Sequence, residues 1–233
     1  MDHVETNVQA DLSSYIGRVL RDHFGKGPES VFVTLGHTFI TCYLRNFLSP
    51  MERVLLEQDQ IVTILQTRDL LMKKLIPEIT AYLKIATGVD IQEVYYDWSL
   101  HNRSGIIVAI TSEPTSLAGE FAEAFSGKEQ LHEEIAKIST QVEKIPEEMI
   151  SYKLNARTIL VIRNGILVAI EKEFIRLGYM ESLRIAKRQL EKGILHNDLH
   201  FESILGTKIV DLFVDWDFGR DKSVIVFIVN PTS

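Results

Sequence analysis

The residues best equipped to bind a ligand or a partner lie around the pair Asp97-Trp98. A carboxylate, an aromatic ring and several hydrogen-bond donors come together there within a short stretch of chain. We expect a ligand- or partner-binding site formed by Arg45, Asp97, Trp98, His101, Asn102 and Arg103. The structural alternative is that Trp98 packs on helices while Asp97 accepts hydrogen bonds from the amides of a turn.

Arg45 has two interpretations of its own. An arginine in a strand can form a bidentate pair with a carboxylate such as Asp97, and this is the role we expect. Binding of an anion, bicarbonate included, is the alternative.

Two histidines, His196 and His200, have the four-residue spacing that places zinc ligands one turn apart on a helix. Asn197 stands where the helix of a metalloprotease carries its glutamate, and neither a cysteine nor a second histidine cluster lies nearby. We therefore interpret the two histidines as an exposed helical pair. We expect no metal site and no cofactor.

No group of residues is typical of a catalytic centre. Cys42 is the single cysteine, and its separation of five residues from His37 would put the two side chains on opposite faces of a hairpin. Gly25-Lys26-Gly27-Pro28 is too short for a phosphate-binding loop and follows a helical pattern, so it is typical of a helix end. The sequence favours a protein that is not an enzyme.

Charge and hydropathy exclude several classes of protein. The net charge is −7, and it is shared almost evenly between the two halves, so no basic surface for nucleic acid is expected. No apolar run approaches the roughly 20 residues of a membrane span. The acidic N-terminus is unlike a signal peptide, and the single cysteine fits a reducing compartment, so we expect a cytoplasmic protein.

One stripe of basic residues recurs at helical spacing. We interpret it as a solvated helix face, with contact to anionic lipid or an acidic partner as the alternative. The stripe consists of Arg184, Lys187, Arg188 and Lys192.

Hydrophobic periodicity and turn signals predict an α-β-β-α-β-β order in the first half of the chain. A helix ending near Phe24 is followed by a hairpin that turns at Gly36-His37. Ser49, Pro50 and Glu52 then form a capping box with proline at the first helical position, which predicts a long helix to Ala86, kinked at Pro77. The predicted strands are 30–35, 38–47, 90–98 and 105–111.

The second half repeats the first. A shift of 118 residues aligns Asp97-Trp98 with Asp215-Trp216, Gly88 with Gly206, and Arg45-Asn46 with Arg163-Asn164, so one constant offset without insertion is expected. We predict an α+β protein with a first unit at 1–112, a linker at 113–127 and a diverged second unit at 128–233. Each unit is expected to carry helices on one face of an antiparallel sheet, and the two to pack as a pseudo-twofold pair.

The first copy resembles the MpsC-like family, a bacterial domain of unknown function, over about residues 10–112. The resemblance lies in the segments Gly25 to Val31, Leu48 to Glu57, Thr67 to Met72 and Tyr95 to Trp98, followed by Asn102 and Ser104-Gly105. It implies a component associated with membrane systems that translocate cations or take up inorganic carbon. The second copy keeps Asp215-Trp216 but lacks the glycine-proline loop and the serine cap, so it resembles a degenerate member.

These observations together favour a non-catalytic binding or regulatory protein, accessory to such a membrane system and peripheral to the membrane. The expected partner is a protein, with a membrane transport subunit as the candidate, and further homo-oligomerisation stays open. The alternative is a small-ligand sensor or an enzyme with a pocket between the two units.

Overall fold

Each half of the chain forms a four-stranded antiparallel sheet with helices, in the order helix-strand-strand-helix-strand-strand. This confirms the α+β class and the two similar units. The computed structural model describes the backbone of residues 2–117, 119 and 121–231, and side chains among these from residue 7 onward. It divides the chain into units Met1–Glu120 and Phe121–Ser233. The pseudo-twofold packing of the two units stays a prediction.

The first unit has strand order β1-β2-β4-β3. Gly25, at φ 72°, ends the first helix, and the hairpin closes where Gly36 pairs with Phe39. Both turns lie where they were expected, but in the hairpin His37, at φ 50°, and not Gly36 adopts the left-handed conformation. The elements are α1 Asp2–Phe24, β1 Ser30–Gly36, β2 Phe39–Arg45, α2 Pro50–Glu57, α3 Ile61–Thr87, β3 Ile91–Ser99 and β4 Ser104–Thr111.

The long helix predicted from Ser49 to Ala86 is instead two helices, α2 and α3. The break follows Glu57, where Asp59 adopts the left-handed conformation at φ 55°. Gln58 and Gln60 both donate their backbone N–H to the Leu55 carbonyl, which closes α2 as a tight turn. Aspartate tolerates this conformation better than most residues. The capping box at the start of α2 is confirmed, and Pro77 lies inside α3.

The second unit has strand order β5-β6-β8-β7. Its long helix ends at Asn197 and a short helix begins at His200, so His196 and His200 do not share one helix and their expected one-turn spacing is wrong. The elements are α4 Lys128–Val142, β5 Glu148–Lys153, β6 Thr158–Asn164, α5 Ala169–Arg176, α6 Met180–Asn197, α7 His200–Leu205, β7 Ile209–Asp217 and β8 Lys222–Val229.

The offset between the two copies changes along the chain, so the expected constant offset is wrong. In the last hairpin of each unit, Trp98 pairs with Gly105 and Trp216 pairs with Ser223, which preserves the shift of 118 residues. The turn between β5 and β6 is one residue longer than the turn between β1 and β2. From that turn to Lys187 the second copy runs one residue late, at an offset of 119, and the offset returns to 118 before the last hairpin.

This shift changes which residues of the two sheets are equivalent. Gly105 pairs with Leu44 in the first unit, whereas Ser223 pairs with Arg163 in the second. Arg163 therefore occupies the position of Leu44, and its sequence match with Arg45 is coincidental. Because side chains alternate between the faces of a strand, a shift by one residue turns Arg163 toward the helices.

Helices and sheet bury one apolar core in each unit. In the first, α1 and α3 pack their apolar stripes on alternate residues of the sheet, including Ile40, Cys42 and Leu44. Burial raises the pKa of the Cys42 thiol to about 12, so the thiol stays protonated and unreactive near neutral pH. No helix within the described residues is long and apolar enough to span a membrane.

Candidate functional site

Asp97 and Trp98 lie in the interior of the first unit. Their exposed fractions are 1% and 3%. The Trp98 ring packs against Phe47 and Phe24, with centroid distances of 5.8 and 6.3 Å. Trp98 thus packs on the helix side of the sheet, as its structural interpretation proposed. The structure does not bring these two residues to an open surface with Arg45 and Asn102.

Arg45 and Asn102 line one shallow pocket of about 320 Å³ at the end of the first sheet. Arg45 is the last residue of β2, and Asn102 lies in the turn between β3 and β4. The other lining residues are Glu29, Ser30, Tyr43 and Asn46. We call this the Arg45–Asn102 pocket.

The expected ion pair between Arg45 and Asp97 is not formed. Arg45 is exposed at the strand end, where it pairs with Ser30 across the ladder, while Asp97 is enclosed. Within the described part of the chain, Arg45 has no salt bridge. Its guanidinium is therefore available to an external acceptor.

His101 and Arg103 share the turn with Asn102 and are exposed. Arg103 adopts a left-handed conformation at φ 52°, and its carbonyl accepts a hydrogen bond of 2.6 Å from the Phe47 backbone N–H. This bond ties the β3–β4 turn to the segment that follows β2. It places two sequence-distant parts of the predicted site side by side.

Glu52, Arg68 and Trp98 form a buried triad in the first unit, which the sequence patterns had not predicted. The fully buried Arg68 on α3 donates from Nε to Glu52 Oε1 at 2.7 Å and from Nη2 to Glu52 Oε2 at 3.0 Å. Its guanidinium carbon lies 4.7 Å from the Trp98 ring centroid. Burial alone would raise the pKa of the Glu52 carboxyl, but the Arg68 hydrogen bonds and charge, with bonds from Ser49, hold it below its usual value.

The second unit repeats this triad with a lysine. Lys187 on α6 donates to Glu171 at 2.7 Å, and its ammonium lies 5.6 Å from the Trp216 ring centroid. In both units the glutamate stands third in a short helix, and the basic residue follows 16 residues later. Both copies therefore have a glutamate and a basic residue 16 positions apart, followed later in the chain by an Asp-Trp pair. This repeated spacing is the sequence signal that could have revealed the triad.

Two residues of the basic stripe on α6 are buried and the other two are half-buried, so its interpretation as a solvated face is wrong. Lys187 and Arg188 are 6% and 3% exposed. Arg184 pairs with Asp215 and donates to the Trp216 carbonyl at 2.9 Å, while Arg188 Nη2 lies 3.8 Å from Asp215. Their carboxylate partners come from other elements, which explains how cations on a helix can face inward.

Further charges surround Lys187 in the interior of the second unit. Glu143, at the end of α4, lies 2.5 Å from Lys187 Nζ and 3.0 Å from Arg163 Nη1. Arg163 also forms an ion pair with Glu191 of α6. We define the charged core as Glu143, Arg163, Glu171, Lys187 and Glu191.

Burial, and then a neighbouring carboxylate, decide the protonation of Glu143 in the charged core. Burial is the largest cause, and the neighbouring Glu191 adds to it, so the pKa of Glu143 rises to about 7 against the opposing charges of Arg163 and Lys187. Burial would lower the pKa of Lys187, but Glu143 and Glu191 outweigh it and keep the ammonium charged.

One group in the second unit has the residue types of a metal site. Ligand atoms of Glu134, Asp198 and His200 lie within 4.8 Å of one another. His200 Nδ1 is 3.3 Å from Glu134 and 3.2 Å from Asp198, and Lys137 lies 2.8 Å from the same Glu134 oxygen. The imidazole and the ammonium satisfy these carboxylates, so the group needs no ion to explain it.

A family model matches both units. Its description is Na⁺-translocating membrane potential-generating system (MpsC), and it covers residues 5–113 and 126–231. The chain belongs to the MpsC family. Its two matched segments agree with a tandem duplication of MpsC units. No curated protein and no solved structure is similar enough to match.

Proposed function

We propose that this MpsC protein is a non-catalytic binding or regulatory component of a Na⁺-translocating system. It recognises a protein subunit of that system through the Arg45–Asn102 pocket of its first unit. The family description supplies the system. The observation that carries the binding surface is Arg45, an exposed guanidinium without a salt bridge among the described residues, beside a polar pocket.

The chemistry of the pocket favours a carboxylate of the partner. A guanidinium presents its N–H groups as a planar fork that fits the two oxygens of a carboxylate. The Asn102 amide and the Ser30 hydroxyl add neutral donors to the same lining. Glu29 is already engaged by Asn46, whose amide donates to it at 2.6 Å. An aspartate, a glutamate or a chain-terminal carboxylate is therefore the expected group.

Affinity capture from the native cell tests this proposal. The tagged protein is compared with its Arg45→Glu variant, which reverses the charge at the pocket without entering the core. Arg53→Glu is the matched control, because Arg53 is also an exposed arginine of the same unit and lies outside the pocket. Thermal melting establishes beforehand that all three proteins are folded.

The wild type and Arg53→Glu are expected to recover a membrane-embedded subunit of the ion-translocating system. Arg45→Glu should lose it, with at least a tenfold weaker affinity for the purified subunit, since like charges then face each other. Equal recovery by all three proteins would remove the pocket as the binding surface. Recovery of a small molecule and no protein would favour a sensor instead.

A further inference from the structure

The charged core of the second unit holds more negative than positive charge. Its side chains are at most 9% exposed, and they comprise three carboxylates against the guanidinium of Arg163 and the ammonium of Lys187. Glu191 is 1% exposed and its Oε1 forms the ion pair with Arg163, whereas its Oε2 has no hydrogen-bond donor among the described residues. A buried carboxylate with one oxygen left without a donor is costly unless it is neutralised.

The first unit shows that the fold does not require these charges. The equivalent of Arg163 is Leu44, and the same offset of 119 residues places Met72 at Glu191. Glu143 precedes β5, where the offset is still 118, so its equivalent is Gly25. Leu44 and Met72 are buried in the apolar core of the first unit, and none of the three positions carries a charge there. Because apolar residues replace buried ion pairs without loss of stability in many proteins, the charges of the second unit call for another explanation.

We propose that the charged core is a proton-binding site, in which the carboxyl pair Glu143–Glu191 takes up one proton when the solution is acidified and releases it when the solution becomes alkaline. One bound proton leaves two carboxylates against two cations. The site therefore alternates between a neutral and a negatively charged interior. Its ligand is the proton itself, and it is independent of the Arg45–Asn102 pocket.

Every element packed around the pair contributes to its charge environment. The β6 strand supplies Arg163, and α6 supplies Lys187 together with Arg188, which faces Asp215 of β7. The remaining groups are Glu171 of α5 and the hydroxyls of Ser139 of α4 and Ser223 of β8, which accept hydrogen bonds from Arg163. Lys144 follows Glu143 in the chain, and its charge interacts with the Glu143 carboxylate.

The pKa of Glu143, about 7, places the exchange close to neutral pH. The folded state then binds a proton that the unfolded chain, with an ordinary carboxyl pKa near 4.5, does not hold. The resulting stabilisation is complete below about pH 4.5 and is lost as the pH rises to about 7. The second unit is thus less stable when no proton is bound to the site.

Carbon-13 NMR of glutamate side-chain carboxyls tests the site in the full chain between pH 4 and 9. One resonance should titrate with a midpoint near 7, well above the others. Glu143→Gln should abolish that titration, and Glu191→Gln should move its midpoint to lower pH, because the second change removes the neighbouring negative charge but leaves Glu143 buried. The midpoint measured for the wild type belongs to the pair of interacting carboxyls rather than to one residue.

Glu173→Gln is the control, because Glu173 is an exposed glutamate paired with Arg176 and should leave the midpoint unchanged. Repeating the titration in sodium chloride and in choline chloride distinguishes binding of a proton from binding of a metal cation. Titration of all carboxyls below about pH 5.5 would overturn the proposal. A midpoint that sodium shifts by a full unit would also overturn it, since a metal cation would then neutralise the pair. With two glutamine variants, the proposal can still be tested if one of them does not fold.

Discussion

Arg68 has no exposed side-chain surface, so its partners decide whether the first unit tolerates it. Glu52 supplies two hydrogen bonds, the Phe47 carbonyl accepts a third at 2.9 Å, and three aromatic rings surround the guanidinium. Transfer of a charge from water costs several kcal/mol, and only such close pairing offsets it. Removal of one partner should therefore harm the fold more than removal of both.

A double-mutant cycle checks this expectation. Glu52→Gln should destabilise the protein by about 3 kcal/mol, because it leaves the Arg68 charge buried without a counter-charge. The further change Arg68→Met should recover much of this loss, since an unbranched apolar chain fills a similar volume among the rings. Urea unfolding measures the free energies. Additive losses in the double variant would show that the pair is not coupled.

The buried charges mark the limit of sequence reasoning at this scale. Helical spacing correctly placed Arg184, Lys187 and Arg188 on one helix, but their charge suggested solvent. The carboxylates that hold them inside come from α4, α5 and β7, far away in the chain. No local pattern reveals such long-range pairing. Asp97 and Trp98 were likewise recognisable as a repeated pair, whereas their burial was not.

Local signals predicted the elements well where one or two residues decide the geometry. Ser49 caps α2 through a hydrogen bond from the Glu52 N–H, and the Glu52 carboxylate accepts from the Ser49 N–H at 2.8 Å. In the second unit Glu171 keeps the reciprocal bond to the Val168 N–H, but valine has no oxygen with which to cap. The two helices thus form a natural comparison of a full cap with half of one.

Substitutions at these two cap positions should change the free energy of unfolding in opposite directions. Ser49→Ala should destabilise the protein by about 1 kcal/mol, because a backbone N–H at the start of α2 loses its acceptor. Val168→Thr should stabilise it by up to about 1 kcal/mol, since threonine adds the missing acceptor in nearly the same volume. Thermal melting and urea unfolding measure both changes. Ile170→Thr serves as the control for a similar substitution at an exposed position outside the cap.

The alignment of the two copies failed where identity was sparse. The dipeptides Arg45-Asn46 and Arg163-Asn164 match in sequence, but the longer β5–β6 turn moves the second by one position. Asn46 and Gly165 are the structural equivalents, and both adopt positive φ, 52° and 64°. A one-residue shift reverses every side chain of a strand, so a small error in offset became a large error in environment.

At the scale of the whole molecule, the duplicated units share one fold but differ in the charges buried in their cores. Both retain a glutamate, a cation and a tryptophan at equivalent places. In the first unit the neighbouring positions are apolar, and the triad is balanced with one carboxylate for one guanidinium. The second unit surrounds its triad with further charges that leave one carboxylate in excess. The two units should therefore respond differently to protons.

Falling pH should stabilise the second unit before it weakens the first. Between about pH 7 and 5, protonation of Glu143, whose pKa is raised to about 7, removes the excess charge. The pKa of Glu52 is lowered, so the contribution of its ion pair is present above the ordinary carboxyl pKa of 4.5 and is lost as the pH falls through the lower folded value.

Amide hydrogen exchange, corrected for the intrinsic pH dependence of exchange, resolves the two units separately. Protection in β6 and β8 should increase as the pH falls from 7 to 5, while protection in β2 and β4 stays level and decreases only in stronger acid. Glu143→Gln should flatten the response of β6 and β8 alone. If protection in both sheets changed in parallel, the charged core would have no separate effect on its own unit, and the difference in core chemistry would not govern the pH response.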